Sequence, residues 1–135
     1  KGGSNGDLYL FISIDNHEIF KRSEENLYYE LPISFTDVAL GTSVEVPSID
    51  GGKSKIKIPS GTQHGKQFRL KGKGMPILRR NLFGDLYIRI NTQVPNSLSK
   101  RQKEILEEFG EIEKNKPDPI IKSFFEKAKK FWKSS

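Results

Sequence analysis

His17 and His64 are the only histidines in this chain, and it contains no cysteine. A metal site needs several such ligands at close spacing. A catalytic base needs a nucleophile or carboxylate within reach. Neither histidine has such partners nearby in sequence, so both are expected as surface or turn residues. Ser34 and Ser99 lack a neighbouring histidine base and sit instead where helix caps would sit. Asp7 and Asp85 each follow a glycine before a strand-like run, a place where aspartate fixes a turn. The remaining candidate chemistry is charge. Residues 51–84 hold Lys53, Lys55, Lys57, Lys66, Arg69, Lys71, Lys73, Arg79 and Arg80, with no Asp or Glu. Such a row can track phosphates. It can also be the outer face of a sheet, kept soluble and protected from edge pairing by lysine. No aromatic interleaves with it to stack on bases, which favours the second reading. The expectation is therefore no catalytic residue, no metal ligand and no enzyme, with binding left to apolar surface.

The elements that must carry such a surface are strands. Ile56 and Ile58 alternate with Lys55 and Lys57, and Phe68 and Leu70 with Arg69 and Lys71. A period of two puts the apolar set on one face. Pro59 ends the first run, Gly61 and Gly65 permit positive φ between them, and Gly72, Gly74 and Pro76 close the second. The two runs are expected to form a hairpin. Leu27, Tyr29, Leu31 and Ile33 share one strand face, with Tyr28 and Glu30 on the other. Ser34 with Asp37 predicts a short helix over 35–40, stopped at Gly41. Val44 and Val46 belong to the next strand, and Asp50-Gly51-Gly52 to a tight hairpin turn.

A repeat sets the organisation. Residues 84–92, GDLYIRINT, echo 6–14, GDLYLFISI, with Leu8 in step with Leu86 and Leu10 with Ile88. The second copy closes the strands before it, while the first has nothing before it to close. The expected domains are 1–18, the closing strand of a truncated first β repeat, and 19–96, a complete second repeat. A capped helix over 97–115 and a C-terminal helix over 116–135 follow. The fold class is mainly β, a small sandwich-like repeat with C-terminal α-helices.

In the tail, Ser99 and Gln102 form a capping box, and Ile105, Leu106 and Phe109 fall at helical spacing. Lys116-Pro117-Asp118-Pro119 breaks the helix. Beyond it Ile120, Ile121, Phe124, Phe125, Ala128, Phe131 and Trp132 make an apolar stripe opposed by lysines. A helix of this length is marginal alone, so it must pack on a partner chain, on its own sheet or on an anionic membrane.

With 135 residues, 34% apolar and 30% charged, the chain has room for one modest domain with a small core and a wide solvated surface. No apolar run approaches the ~20 residues of a membrane span, and the first residues make no signal peptide. The start at Lys1, without Met, is read as a cut from a longer protein.

The run IPSGTQHGKQFRLKGKGMP over 58–76 resembles the C-terminal substrate-binding region of the DnaJ family of J-domain co-chaperones. The similarity extends over roughly 6–106 and includes the tandem β repeats. It implies no cofactor in this stretch, although zinc belongs to the upstream cysteine repeats of the family. It implies partners in unfolded or partly folded polypeptides, in a DnaK-type ATPase reached through a J-domain, and in a second copy of the chain. No membrane is expected, nucleic acid is disfavoured, and the compartment is cytoplasmic. Carried onto the second repeat, the family's client groove falls on Tyr29, Leu31, Val44, Val46 and Ile88. The family's paired tails place the dimer interface on Ile121, Phe124, Phe125, Ala128, Phe131 and Trp132. A basic nucleic-acid-binding β module is the alternative. Steep loss of affinity with log[salt] would distinguish it from apolar client binding.

Overall fold

The computed structural model describes residues 17–134. The chain divides into two compact units, Lys1–Val94 and Pro95–Ser135. The expected strand over 6–14, with Asp7 and Leu10, and so most of the region 1–18, lies outside the described residues.

The described part of the first unit runs β1 (Lys21–Ser23), β2 (Asn26–Ser34), α1 (Phe35–Leu40), β3 (Thr42–Pro47) and β4 (Lys53–Ile58). It continues as β5 (Gln67–Leu70), β6 (Pro76–Ile77), β7 (Leu82–Phe83) and β8 (Leu86–Gln93). Four strands form one sheet in the order β1-β2-β8-β5, while β3 pairs with β4 and β6 with β7. Strand β2 lies parallel to β8, in register from Leu27↔Leu86 to Ser34↔Gln93. Parallel neighbours need a long crossover, which α1 and the intervening strands supply.

The alternation in each strand decides what is buried. Leu27, Tyr29 and Ile33 of β2 and Leu86, Ile88 and Ile90 of β8 turn their side chains to one core with Val46, Ile56, Ile58, Val38, Met75 and Phe20. The small β3–β4 sheet and α1 thus close over the inner face of the larger sheet, a small sandwich. Phe68 and Leu70 pack against the same cluster, partly buried. Helix α1 begins where Ser34 Oγ accepts the Thr36 N–H at 3.2 Å and ends where Gly41 N–H donates to Asp37 O at 2.8 Å. The β3–β4 turn is the expected Asp50-Gly51-Gly52 reversal, with Gly52 N–H donating to Asp50 Oδ1 at 2.8 Å.

One expectation is corrected. The runs at 56–58 and 68–70 do not form a hairpin, because β4 pairs only with β3 and β5 pairs with β8. The intervening segment is tied elsewhere. Gly61 N–H donates to Val38 O and Gly65 N–H to Ile90 O, each at 2.8 Å. Gly61 and Gly65 do take positive φ, 81° and 88°, but to turn the chain from one sheet to the other. Local alternation carries no information about which distant strand completes a ladder. The basic run 53–80 is in consequence spread over β4, β5 and the loops after them.

In the second unit, α2 (Lys100–Asn115) and α3 (Pro119–Ser134) are separated by the expected break. Ser99 and Gln102 make the reciprocal capping box, at 3.1 Å and 2.8 Å. Asp118 Oδ1 accepts the Ile120 N–H at 2.8 Å, capping α3. Pro119 opens that helix, where a missing N–H leaves no bond unmade. Neither helix buries a residue.

Candidate functional site

Leu27 N–H donates to Asp85 O at 2.9 Å, so the odd-numbered residues of β2 bond to β8. Alternation turns the even-numbered backbone groups the other way. There β1 pairs only with residues 26–28. Among the described residues, no strand covers the rest of that edge, which offers the N–H and C=O of Glu30 and the C=O of Pro32. Pro32 has no N–H to give, and proline inside a strand marks an edge. It was the one sequence signal of this open ladder.

A groove of about 780 Å³ lies along this edge, with Ile19, Tyr28, Leu31, Pro32, Pro47 and Tyr87 among its lining residues. Tyr28 and Tyr87 sit opposite each other in the β2–β8 register and stack with ring centroids 5.1 Å apart and 13° between planes. Glu18, Lys21, Glu30 and Arg89 add charges of both signs. The result is an apolar and aromatic channel beside backbone that no described strand pairs, suited to an extended peptide adding to the sheet.

Two residues expected in the client groove lie instead in the core, and a third, Tyr29, belongs to the core and lines the groove as well. Val46 and Ile88 are 1% and 0% exposed, and Tyr29 is 6% exposed. They occupy the inward positions of strands roofed by another layer, and alternation alone cannot say which face that layer covers. The Tyr29 hydroxyl donates to Pro47 O at 3.2 Å, and burial pushes the phenol's pKa up to about 12. Leu31 and Val44 are half-buried, and of the two only Leu31 lines the groove. Ile19, Tyr28, Tyr87 and Pro47 were not foreseen. The outward position of Tyr28 in the alternating run was the available sign.

The residues expected at a dimer interface all lie on α3. Ile121, Phe124, Phe125, Phe131 and Trp132 are each more than half exposed, and Ala128 is partly exposed. Phe124 and Phe125 meet edge to face at 5.1 Å.

The histidines bond to backbone. His17 Nδ1 accepts the Ile19 N–H and His64 Nδ1 the Thr92 N–H, each at 3.1 Å. No cluster of three or more metal-ligating side chains occurs among the described residues. None of their helices is long and apolar enough to cross a membrane.

Asp85 fixes a turn, as its position predicts. Its Oδ1 accepts the Gly72 N–H at 3.0 Å, its Oδ2 accepts Arg69 Nε at 2.7 Å, and its own N–H donates to Asn26 Oδ1 at 2.8 Å. The Gly72 bond does most to hold the carboxyl below the usual carboxylate range. Partial desolvation opposes this shift, while Arg69 and the charge of Lys71 reinforce it. A depressed carboxyl gives stability that is fully present above its unfolded pKa of about 4 and is lost as pH falls through the folded value. Asp85→Asn is expected to flatten the acid side of a plot of urea midpoint against pH. An unchanged acid limb would remove this group from the account.

The DnaJ C terminal domain family matches residues 1–95, and the Chaperone protein DnaJ C-terminal region family matches residues 101–134. The Chaperone protein DnaJ of Pelagibacter ubique is 64% identical over 134 residues, covering 99% of this chain and 36% of that protein. Those of Brucella anthropi and Brucella canis are each 50% identical over 132 residues, covering 98% of this chain and 35% of theirs. The chain thus spans about a third of the length of these relatives. The relatives are co-chaperones rather than enzymes. On these grounds the chain belongs to the DnaJ C-terminal domain family.

Proposed function

We propose that this chain holds extended apolar stretches of unfolded polypeptide along the open edge of β2 and dimerises through its C-terminal unit. In the whole protein it would work for a DnaK-type ATPase chaperone in the cytoplasm. The observation that carries the reading is the groove of about 780 Å³ beside the part of the β2 ladder that no strand covers among the described residues. Main-chain groups there supply sequence-independent affinity, and the apolar floor selects side chains. Such a surface suits many clients, each held weakly. The reading needs no cofactor in this chain.

The experiment is binding of a fluorescent extended apolar peptide to variants on the rim. Ile19→Glu and Leu31→Glu should each weaken capture by about five- to thirtyfold, as loss of 1–2 kcal/mol of apolar contact implies. Leu31 also packs against the core, so Ile19→Glu is the cleaner variant, and thermal unfolding reports whether each still folds. Unchanged affinity in folded Ile19→Glu would sink the groove. Peptide affinity should hold across salt concentrations. Tight binding of single-stranded nucleic acid that falls steeply with log[salt] would instead favour the basic-module alternative.

A further inference from the structure

Strand β1 stops short of the edge it could cover. Its register pairs Lys21 with Tyr28 and Ser23 with Asn26 of β2. Antiparallel pairing advances one residue against one, so continuing β1 backwards sets Ile19 opposite Glu30 and His17 opposite Pro32. Ile19 N–H would then donate to Glu30 O, Glu30 N–H to Ile19 O, and His17 N–H to Pro32 O. These are the backbone groups of β2 that the groove leaves open. The chain does not take that course, and bends at Glu18 and Ile19 ahead of β1.

The imidazole of His17 holds the bend. Its Nδ1 accepts the Ile19 N–H at 3.1 Å and the Phe20 N–H at 3.4 Å. The Ile19 N–H is the donor that would extend β1 onto Glu30, so the ring removes it from the ladder. Phe20 anchors the other end of the bend. It is buried, and its ring meets Tyr29 edge to face at 5.2 Å and His17 at 5.1 Å. With Phe20 fixed, β1 stays in place whichever way residues 17–19 run. Pro32 weakens the extended course, because it has no N–H to give back to residue 17. The two courses differ by few hydrogen bonds, a balance that one acceptor can tip.

Histidine takes up a proton between about pH 8 and pH 5, and a protonated ring nitrogen donates instead of accepting. The charged groups that share the groove with Ile19 are Glu18 and Lys21 on the same segment, Glu30 on β2 and Arg89 on β8. Among the described residues none of them forms an ion pair with His17. Protonation therefore costs the bend its acceptor and frees the Ile19 N–H for β2.

We propose that His17 is a positioning residue that, as a neutral acceptor, keeps the β2 edge open to an extended ligand. Its loss or protonation lets residues 17–19 lengthen β1 and close that edge. The nature of the ligand rests on the client reading above, while the opening and closing of the edge does not.

The probe is an extended apolar peptide without ionisable side chains, titrated into the whole chain at about pH 7.5 and about pH 5.5. His17→Ala should weaken capture about tenfold at both values, and the parent should lose a similar factor on acidification. In His17→Asn the amide oxygen can accept the same N–H but takes up no proton. That variant should bind at both values as the parent does at the higher one. It also lacks the ring against Phe20, which separates the acceptor from the packing. Amide hydrogen exchange without peptide reads the edge directly. The protection factor of the Glu30 N–H should rise in His17→Ala and in the acidified parent, and stay low in His17→Asn. Protection of Glu30 with no change in peptide affinity would uphold the closing of the edge and take that edge out of the client reading. Unchanged Glu30 protection in His17→Ala, or an acid loss of affinity that persists in His17→Asn, would overturn the proposal.

Discussion

Gly84→Ala is expected to bring the β unit close to unfolding. A Cβ at Gly84 would overlap the carbonyl carbon and oxygen of Glu25. That backbone cannot retreat, because Glu25 O accepts the Met75 N–H at 2.8 Å. Gly84 itself donates to Met75 O and accepts from Gly74 N–H, each at 2.8 Å. Three segments of main chain are clasped at one point, where β1 turns into β2 and the β6–β7 hairpin returns to β8. Met75, fully buried, hangs from the same clasp. Overpacking costs about 1–3 kcal/mol in a core that can shift, and a backbone-to-backbone clash belongs at or above the top of that range. Against a typical stability of about 5–15 kcal/mol, the change should appear as a large fall in urea midpoint or as loss of soluble protein. Gly74→Ala should act similarly, since its Cβ would lie 2.6 Å from the same carbonyl. Gly110 provides the contrast. It lies within α2 with nothing near its added Cβ, so alanine there should strengthen the helix by up to about 1 kcal/mol. A Gly84→Ala protein as stable as the parent would show that the clasp has slack the structure does not reveal.

The clasp shows where sequence reading reaches and where it stops. The Gly-Asp-Leu-Tyr motif was visible as a repeat, and Asp85 was legible as a turn former because the side chain acts on nearby backbone. That Gly84 must be glycine depends on Glu25, brought to it by the parallel pairing of β2 with β8. Strand faces were legible for the same local reason, as were the two caps at Ser34 and Ser99. Partners were not. Alternation at 56–58 and 68–70 looked like a hairpin, and only the ladder from Gly65 and Lys66 to Ile90 sends β5 to the other sheet. The groove suffered most from this limit. Val46 and Ile88 carry the right side chains at the right period, and a second layer covers them, while Tyr29 is mostly buried yet reaches the groove. The accessible set beside Leu31 includes Ile19 and Pro47, outside the alternating run, which only the fold brings together.

Deleting residues 116–135 is expected to leave a folded β unit that no longer dimerises and captures unfolded clients more weakly. Among the described residues the buried core lies between Phe20 and Ile90 and α3 buries none of its own, so the deletion takes away no described core residue. Its effect on association should be large. Fully burying a large apolar side chain contributes about 1.5–3 kcal/mol. Ile121, Phe124, Phe125 and Phe131 together therefore offer about 6–12 kcal/mol per copy before the ordering and association costs that any complex meets. A dimer at micromolar concentrations is the expected result. A charge at the centre of this face should suffice to break it: Phe124→Asp is expected to raise the dissociation constant at least about a hundredfold, through lost apolar burial and an unpaired carboxylate. The loss in client capture follows from valency. In the proposed dimer two grooves would hold two stretches of the same unfolded chain, and the second contact would form at a high effective concentration. A short peptide that fills only one groove gains nothing from the second. The deletion should therefore weaken binding of a long unfolded protein severalfold or more while leaving short-peptide affinity unchanged. Sedimentation velocity measures the first part and peptide titration the second. A truncated chain that still sediments as a dimer would move the interface off α3, and equal losses for short and long ligands would place part of the groove in the tail.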